Sequence, residues 1–331
     1  MSIETLSLSK AINTGLRRSM ERDDRVVVMG EDVATLGGVF RVTDGLAKDF
    51  GDDRVIDTPL AESAIVGTAI GLAMRGFRPV CEIQFDGFVY PAFNQIVSQL
   101  AKLHYRSGGT LKMPVTIRIP FGGGIGAVEH HSESPEAYFA HTAGLKVVAC
   151  SSPADAYDMV QQAVASDDPV IFFEPKRRYW EKGEVDTSLD RLLADLPPLH
   201  SSRVLRPGSD ATLVTYGPSV HTALAASDAA REEGRELGVI DLRSLSPLDL
   251  APVLEAVGTS GHLIVVSEAP PASSLSADIA AQVSERAFYS LEAPVLRVGG
   301  FDTPYPASRH DGHYLPDIDR ILDAVDRSLA F

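Results

Sequence analysis

Four acids and two adjacent histidines stand out as residues able to move protons. Glu31 follows the apolar run Val26–Met29. Glu62 lies near the start of a helix that the Thr58-Pro59 turn introduces. Glu129 and Glu133 flank His130-His131, downstream of the glycine loop Gly122–Gly126. A lone carboxyl on an apolar helix is placed where burial raises its pKa toward the range of a general acid or base. A histidine in a cleft donates a proton near neutrality. The same residue types also serve as caps, ion-pair partners and solvated loop groups, so type and spacing name candidates and not roles.

Other chemistries find less support. Gly122-Gly123-Gly124-Ile125-Gly126-Ala127 can be forced into a dinucleotide fingerprint. However, Pro120 ends the preceding strand, Pro135 and the paired histidines spoil an immediate helix, and no acid follows near Lys146. A glycine loop that lets backbone approach a partner or ligand fits better. His104, His130, His131, His141 and Glu129 have no HExxH or CxxC spacing, and adjacent histidines generally point apart. There is no GxSxG elbow and no P-loop. A net charge of −15 argues against a nucleic-acid footprint and gives no attraction to anionic membranes. No apolar run is long enough to span a bilayer, and the N-terminus lacks a basic region followed by an apolar core, so the expected location is the cytoplasm. Cys81 and Cys150 lie in apolar runs and read as buried thiols.

The elements that must carry these residues follow from periodicity. Leu8, Ile12, Leu16 and Met20 make one face of a helix over Ser7–Met20. Val26–Met29 reads as a strand and Thr43–Phe50 as a short helix. Within Asp57–Phe88 the helix that begins near Glu62 is rich in small residues (Ala61, Ala64, Gly67, Ala69, Gly71, Ala73), as at a tight helix–helix or subunit contact. A strand Pro79–Phe85 and an aromatic cluster follow. Pro91–Arg106 reads as a helix, Val115–Ile119 and Lys146–Cys150 as strands, Pro153–Ser166 as a helix and Val170–Phe173 as a buried strand. This alternation implies a parallel sheet covered by helices. The charged, proline-containing stretch Glu174–Pro207 reads as a partly packed linker. A second alternating region then places strands at Ala211–Tyr216, Gly238–Leu242, His262–Ser267 and Pro294–Val298, with helices at Ser219–Glu233, Pro247–Val257, Ser276–Ala287 and Asp317–Leu329. The expected organisation is α/β: two doubly wound domains with mostly parallel sheets, residues 1–185 and 206–331, joined by a linker over 186–205.

Several stretches also carry a resemblance. GEDV (Gly30–Val33), GGVFRVTDGL (Gly37–Leu46), DTPLAESAIVG (Asp57–Gly67), RPVCEIQFDGFVYPAFNQI (Arg78–Ile96), HHSESPEAYFAHTAGLKVV (His130–Val148) and DPVIFFEPK (Asp168–Lys176) resemble the β subunit of thiamine-diphosphate-dependent 2-oxo acid dehydrogenases. VIDLRSLSPLD (Val239–Asp249) and LEAPVLRVGGFDTPYP (Leu291–Pro306) continue the resemblance over nearly the whole chain. It implies a transketolase-like fold, with a pyrimidine-binding domain followed by a C-terminal α/β domain. It also implies an α2β2 assembly with an α subunit and a second β subunit, and a place in a complex with a lipoyl-bearing acyltransferase. The nearest flavour is the branched-chain enzyme, with pyruvate or acetoin dehydrogenase as the alternative. A scaffold subunit of the same fold is the non-enzymatic alternative.

The resemblance assigns roles residue by residue. Glu62 matches the glutamate that hydrogen-bonds N1′ of the cofactor's aminopyrimidine and favours the imino tautomer that deprotonates the thiazolium. Phe88 matches the aromatic that stacks on the pyrimidine, where tyrosine is the branched-chain residue and phenylalanine the pyruvate one. Leu60 matches a pocket-lining residue, and His131 matches the histidine that donates protons during acyl transfer to the lipoyl group. Glu31 matches an acid in a tunnel linking two active sites, but the partner acid of that tunnel is here Asn94. Glu133 replaces the family's usual glutamine. It would raise the pKa of His131 if it pointed inward and would be a solvated loop acid otherwise. A potassium site near Thr116 and Asp168, with largely backbone ligands, is also implied. The family's diphosphate and Mg²⁺ motif, GDG followed by an asparagine pair, is not in this chain. Those groups are expected on the α subunit, and the chain alone is expected to be inactive. The terminal segment Arg327–Phe331 is expected to offer a carboxylate to a basic docking domain of the acyltransferase.

Overall fold

The computed structural model describes residues 2–189 and 191–331. The first region is built on a seven-stranded sheet in the order Ser244–Ser246, Lys146–Ala149, Val170–Pro175, Thr116–Phe121, Arg78–Glu82, Val26–Gly30, Val55–Asp57. The six N-terminal strands run parallel, as buried Val/Ile-rich runs joined by helical crossovers must. The chain leaves Val26–Gly30 for Val55–Asp57 on one side and returns to Arg78–Glu82 on the other. The sheet therefore has a switch point between Val26–Gly30 and Arg78–Glu82, where open α/β sheets hold ligands outside the strands' carboxyl ends.

The second region has a five-stranded sheet in the order Leu296–Val298, Leu263–Val266, Ala211–Thr215, Leu237–Asp241, Arg203–Arg206. It is parallel except for its Arg203–Arg206 edge. One apolar core runs across both regions, joining Phe121 and Phe173 of the first sheet to Val214, Tyr216 and Ile240 of the second. Cys81 and Cys150 are buried free thiols, as their apolar surroundings require.

Predicted elements and structure part company in four places. Ser244–Ser246, preceding the predicted Pro247–Val257 helix, pairs antiparallel with Lys146–Ala149 and so adds an edge strand to the first sheet. The helix begins only at Ala251, and Leu245 is buried in the shared core. The predicted Pro91–Arg106 helix is a 3₁₀ turn Asp86–Ala92, a wide π turn Gln95–Leu100 and an α segment Ala101–Arg106. Its apolar face survives through Phe93, Ile96, Val97, Leu100 and Leu103, and π turns of this kind recur beside functional sites. The strand after the small-residue helix is Arg78–Glu82 and stops short of Phe85. The charged stretch read as linker supplies strand Lys182–Asp186, paired with Ile3–Ser7, and the Arg203–Arg206 edge. Edge strands bury one flank at most, so they lack the apolar runs that mark central strands. Among the described residues, no helix is long and apolar enough to cross a membrane.

Candidate active site

Two acids meet at the first switch point. Glu31 follows directly on strand Val26–Gly30. It is 4% exposed, and its Oε1 has no hydrogen-bond partner among the described residues. Burial, then the charge of Glu62, raises its pKa above the usual carboxylate value. Glu62 is the first residue of helix Glu62–Met74, whose positive dipole end favours a carboxylate there. Asp57 locks the two approaches together. Its carboxylate accepts the Ala34 N–H at 2.7 Å, the Thr35 N–H at 3.0 Å and the Thr35 hydroxyl at 2.6 Å. The Thr58 N–H reaches back to the Gly30 carbonyl at 2.9 Å. Leu60, just before the helix, is 82% exposed.

Beside these acids stands an aromatic wall. Phe85 and His131 lie 4.0 Å apart between ring centroids, Phe88 and His131 5.0 Å, and Phe85 and Phe88 6.0 Å. The Asp86–Ala92 turn that carries Phe88 packs against helix Glu62–Met74. Gly87 permits the closest approach, because a Cβ there would stand 2.4 Å from the His130 carbonyl oxygen. The Nδ1 atom of His131 is buried without a partner. Burial, then the neighbouring His130, holds its pKa below the ordinary histidine value. Buried polar atoms in folded proteins nearly always have partners. Glu31 Oε1 and His131 Nδ1 are two such orphans, with the exposed Leu60 just before Glu62 and the half-buried Phe88 beside His131.

Residues 4–181 match the family of the transketolase pyrimidine-binding domain, and residues 200–321 match that of the transketolase C-terminal domain. A pyruvate dehydrogenase E1 component subunit beta of Leifsonia xyli subsp. xyli is 61% identical over 329 residues, covering 99% of this chain and 96% of the relative. A 3-methyl-2-oxobutanoate dehydrogenase subunit beta of Mycobacterium tuberculosis is 54% identical over 327 residues, covering 98% and 92%. The chain belongs to the β subunits of 2-oxo acid dehydrogenase E1 components. In solved structures its fold is matched by a split-gene transketolase, described as an inactive β4 tetramer, with a TM-score of 0.77 at 21% identity over 98% of both chains. The transketolase-like architecture expected from the sequence is thus the fold of this β subunit.

The surroundings of Glu133, Asp168 and Thr116 are also defined. The Glu133 carboxylate turns toward Tyr90. It lies 3.4 Å from the Tyr90 hydroxyl, and burial and then Asp86 raise its own pKa, while that of His131 goes down. Asp168 is paired with the Lys146 ammonium at 2.8 Å, and Thr116 is buried within its strand. Among the described residues, no group of three His, Cys, Asp or Glu side chains converges as a metal cage. Asn94 is exposed on the surface.

Two buried charge clusters behind the wall escaped sequence reading. Lys176 pairs with Asp86 out of reach of solvent and lies 5.9 Å from the Phe85 ring centroid. The other carboxylate oxygen of Asp86 accepts the Glu133 N–H at 2.9 Å, which fixes the end of the histidine loop. Deeper still, Arg118 binds Glu174 through two hydrogen bonds of 2.6 and 2.9 Å and Glu82 through one of 2.6 Å, and Tyr179 donates to Glu174 at 2.5 Å. The available signal was charge inside apolar strands: Glu82, Arg118 and Glu174 each interrupt a buried run.

Proposed function

We propose that this β subunit provides the pyrimidine half of a thiamine-diphosphate site in an α2β2 enzyme. That enzyme decarboxylates a 2-oxo acid and passes the acyl group to a lipoyl group on an acyltransferase. The observation that carries the reading is the meeting of Glu62 with the buried, orphaned Glu31 at the switch point. The diphosphate and Mg²⁺ fall to the α subunit. When bound, the cofactor supplies the electron sink for decarboxylation.

The chain's own residues do the rest. Glu62 holds a proton at the edge of the pyrimidine. Phe88 offers its ring as a stacking platform, and Leu60 closes the pocket from the exposed side. Glu31 supplies a proton-relay group next to Glu62, with Asn94 in the place of a second relay acid. His131 donates a proton during acyl transfer. Burial lowers its pKa, which makes its protonated form the stronger acid. With Glu62→Gln, decarboxylation is lost while α–β assembly survives. Full activity in that variant overturns the assignment. With His131→Ala, lipoyl acylation falls more than decarboxylation read with an artificial acceptor, and equal losses contradict its role.

Two substrate readings each rest on an observation. A branched-chain 2-oxo acid is supported by the 54% identity to the Mycobacterium tuberculosis subunit. Pyruvate is supported by Phe88 and by the 61% identity to the Leifsonia subunit. Turnover of 3-methyl-2-oxobutanoate against pyruvate by the reconstituted pair decides between them.

A further inference from the structure

The second sheet has a switch point of its own. The chain runs from Ala211–Thr215 to Leu237–Asp241 on one side and returns to Leu263–Val266 on the other. The crevice outside the carboxyl ends of Ala211–Thr215 and Leu263–Val266 is therefore the place where such a sheet would bind a ligand. Here it is filled from the other domain. Tyr216, one residue past its strand, donates its hydroxyl to Glu136 at 2.5 Å. Glu268, two residues past its strand, accepts the Gly123 N–H through Oε2 at 2.9 Å and pairs through Oε1 with Arg177 at 2.6 Å. Tyr305 accepts the Gly124 N–H at 3.1 Å, and Asp311 accepts the Gly126 N–H at 3.2 Å.

The loop gripped in this way is the one that carries His131. Its base closes on itself, Gly122 N–H to Glu133 carbonyl at 2.9 Å, and Asp86 holds Glu133 from the first domain. The outer limb, Gly123 to Gly126, presents its N–H groups to the C-terminal domain. Its glycines are what make the grip possible, since a Cβ at Gly123 would stand 2.1 Å from the Tyr305 hydroxyl oxygen.

We propose that Glu268, Tyr305 and Asp311 are positioning residues for His131: the C-terminal domain uses its ligand crevice to clamp the glycine loop, and acyl transfer depends on that grip. The proposal rests on the reading of His131 as the acyl-transfer acid. Loss of one acceptor leaves the loop attached but free to shift, and a displacement of about an ångström at a reacting group costs on the order of a hundredfold in rate.

The test uses the reconstituted α/β pair carrying Tyr305→Phe, which keeps the ring and removes the acceptor oxygen. Asp311→Ala, which removes the carboxylate acceptor, is a second variant, at a more exposed position. For both, kcat for lipoyl acylation falls about tenfold or more, while decarboxylation with an artificial acceptor and the KM for the 2-oxo acid stay within about twofold. Adding Tyr305→Phe to His131→Ala costs nothing further, because residues acting through one another are non-additive. Equal losses in both assays, or full additivity with His131→Ala, overturn the proposal. Hydrogen exchange over residues 122–134 separates the two possible failures. If His131→Ala shows no selective loss but Tyr305→Phe still speeds exchange of the loop, the role of His131 falls and the clamp stands. If exchange is unchanged, the clamp itself falls.

Discussion

The two large sheets of this β subunit share one architecture and put opposite things at their switch points. At the first stand an orphaned Glu31, a Glu62 at a helix start and an exposed Leu60. At the second, the strand ends are occupied by Glu136 and by the backbone of Gly123, both from the other domain. The same topology thus yields an orphaned acid in one place and an internal joint in the other. A fold supplies crevices, and the residues at the strand ends decide whether a crevice takes a ligand or a neighbouring loop.

The largest expected effect lies beneath the open site. Arg118→Met leaves Glu82 and Glu174 buried without their cation, and breaking a buried ion pair from one side costs about 3–5 kcal/mol. A fall of that size in urea unfolding is expected, with loss of assembly. A variant as stable as wild type would mean that the open crevice is not braced from below.

The filled crevice is tested next through pH. Burial pushes the Glu136 carboxyl up to about 7, from an ordinary 4.5. Between those values the unfolded chain has lost its proton while the folded one keeps it, so the stability that this proton gives declines as pH rises through the window. The decline is on the order of 3 kcal/mol. In Glu136→Gln, which can still accept from Tyr216, thermal unfolding between pH 4.5 and 7 should become correspondingly flatter. An unchanged pH profile would detach Glu136 from the joint.

Gly123→Ala attacks the same joint sterically and should cost about 1–3 kcal/mol in thermal stability through overpacking against Tyr305. The smallest effect belongs to the helix at the open crevice. Gly71 faces outward with empty space where a Cβ would go. Gly71→Ala should stabilise the isolated subunit by up to about 1 kcal/mol through helix propensity. It should also weaken α–β association if this face is a subunit contact. Tighter association in sedimentation or titration experiments would remove the small-residue stripe from that contact.

Much of the open site was legible in the chain. Glu31 and Glu62 were named from a strand end and a helix start and His131 from its loop, while Phe88 was named by the family resemblance; the structure brings Glu31 to Glu62 and Phe88 to His131. The filled crevice was not legible. Glu268 and Tyr305 sit 145 and 181 residues from the glycines they hold, and no local pattern marks an acceptor for a distant backbone N–H. Asp86 and Lys176 were missed for the same reason: each looks like an ordinary surface charge until both are buried together, 90 residues apart.

By itself, the sequence determined what is short-range and periodic: the apolar faces of Leu8–Arg22 and Pro153–Ala165, the buried strands, the chain's −15 charge and the chemical types available at each strand end. Only the tertiary structure decided that Glu133 turns toward Tyr90, that Asp168 is taken by Lys146, and that Ser244–Ser246 crosses to the first sheet. The reason is that helix and strand periodicity is set by neighbours a few residues away. The charge state and direction of a side chain depend instead on what packs over it, and here that cover comes from residues far along the chain.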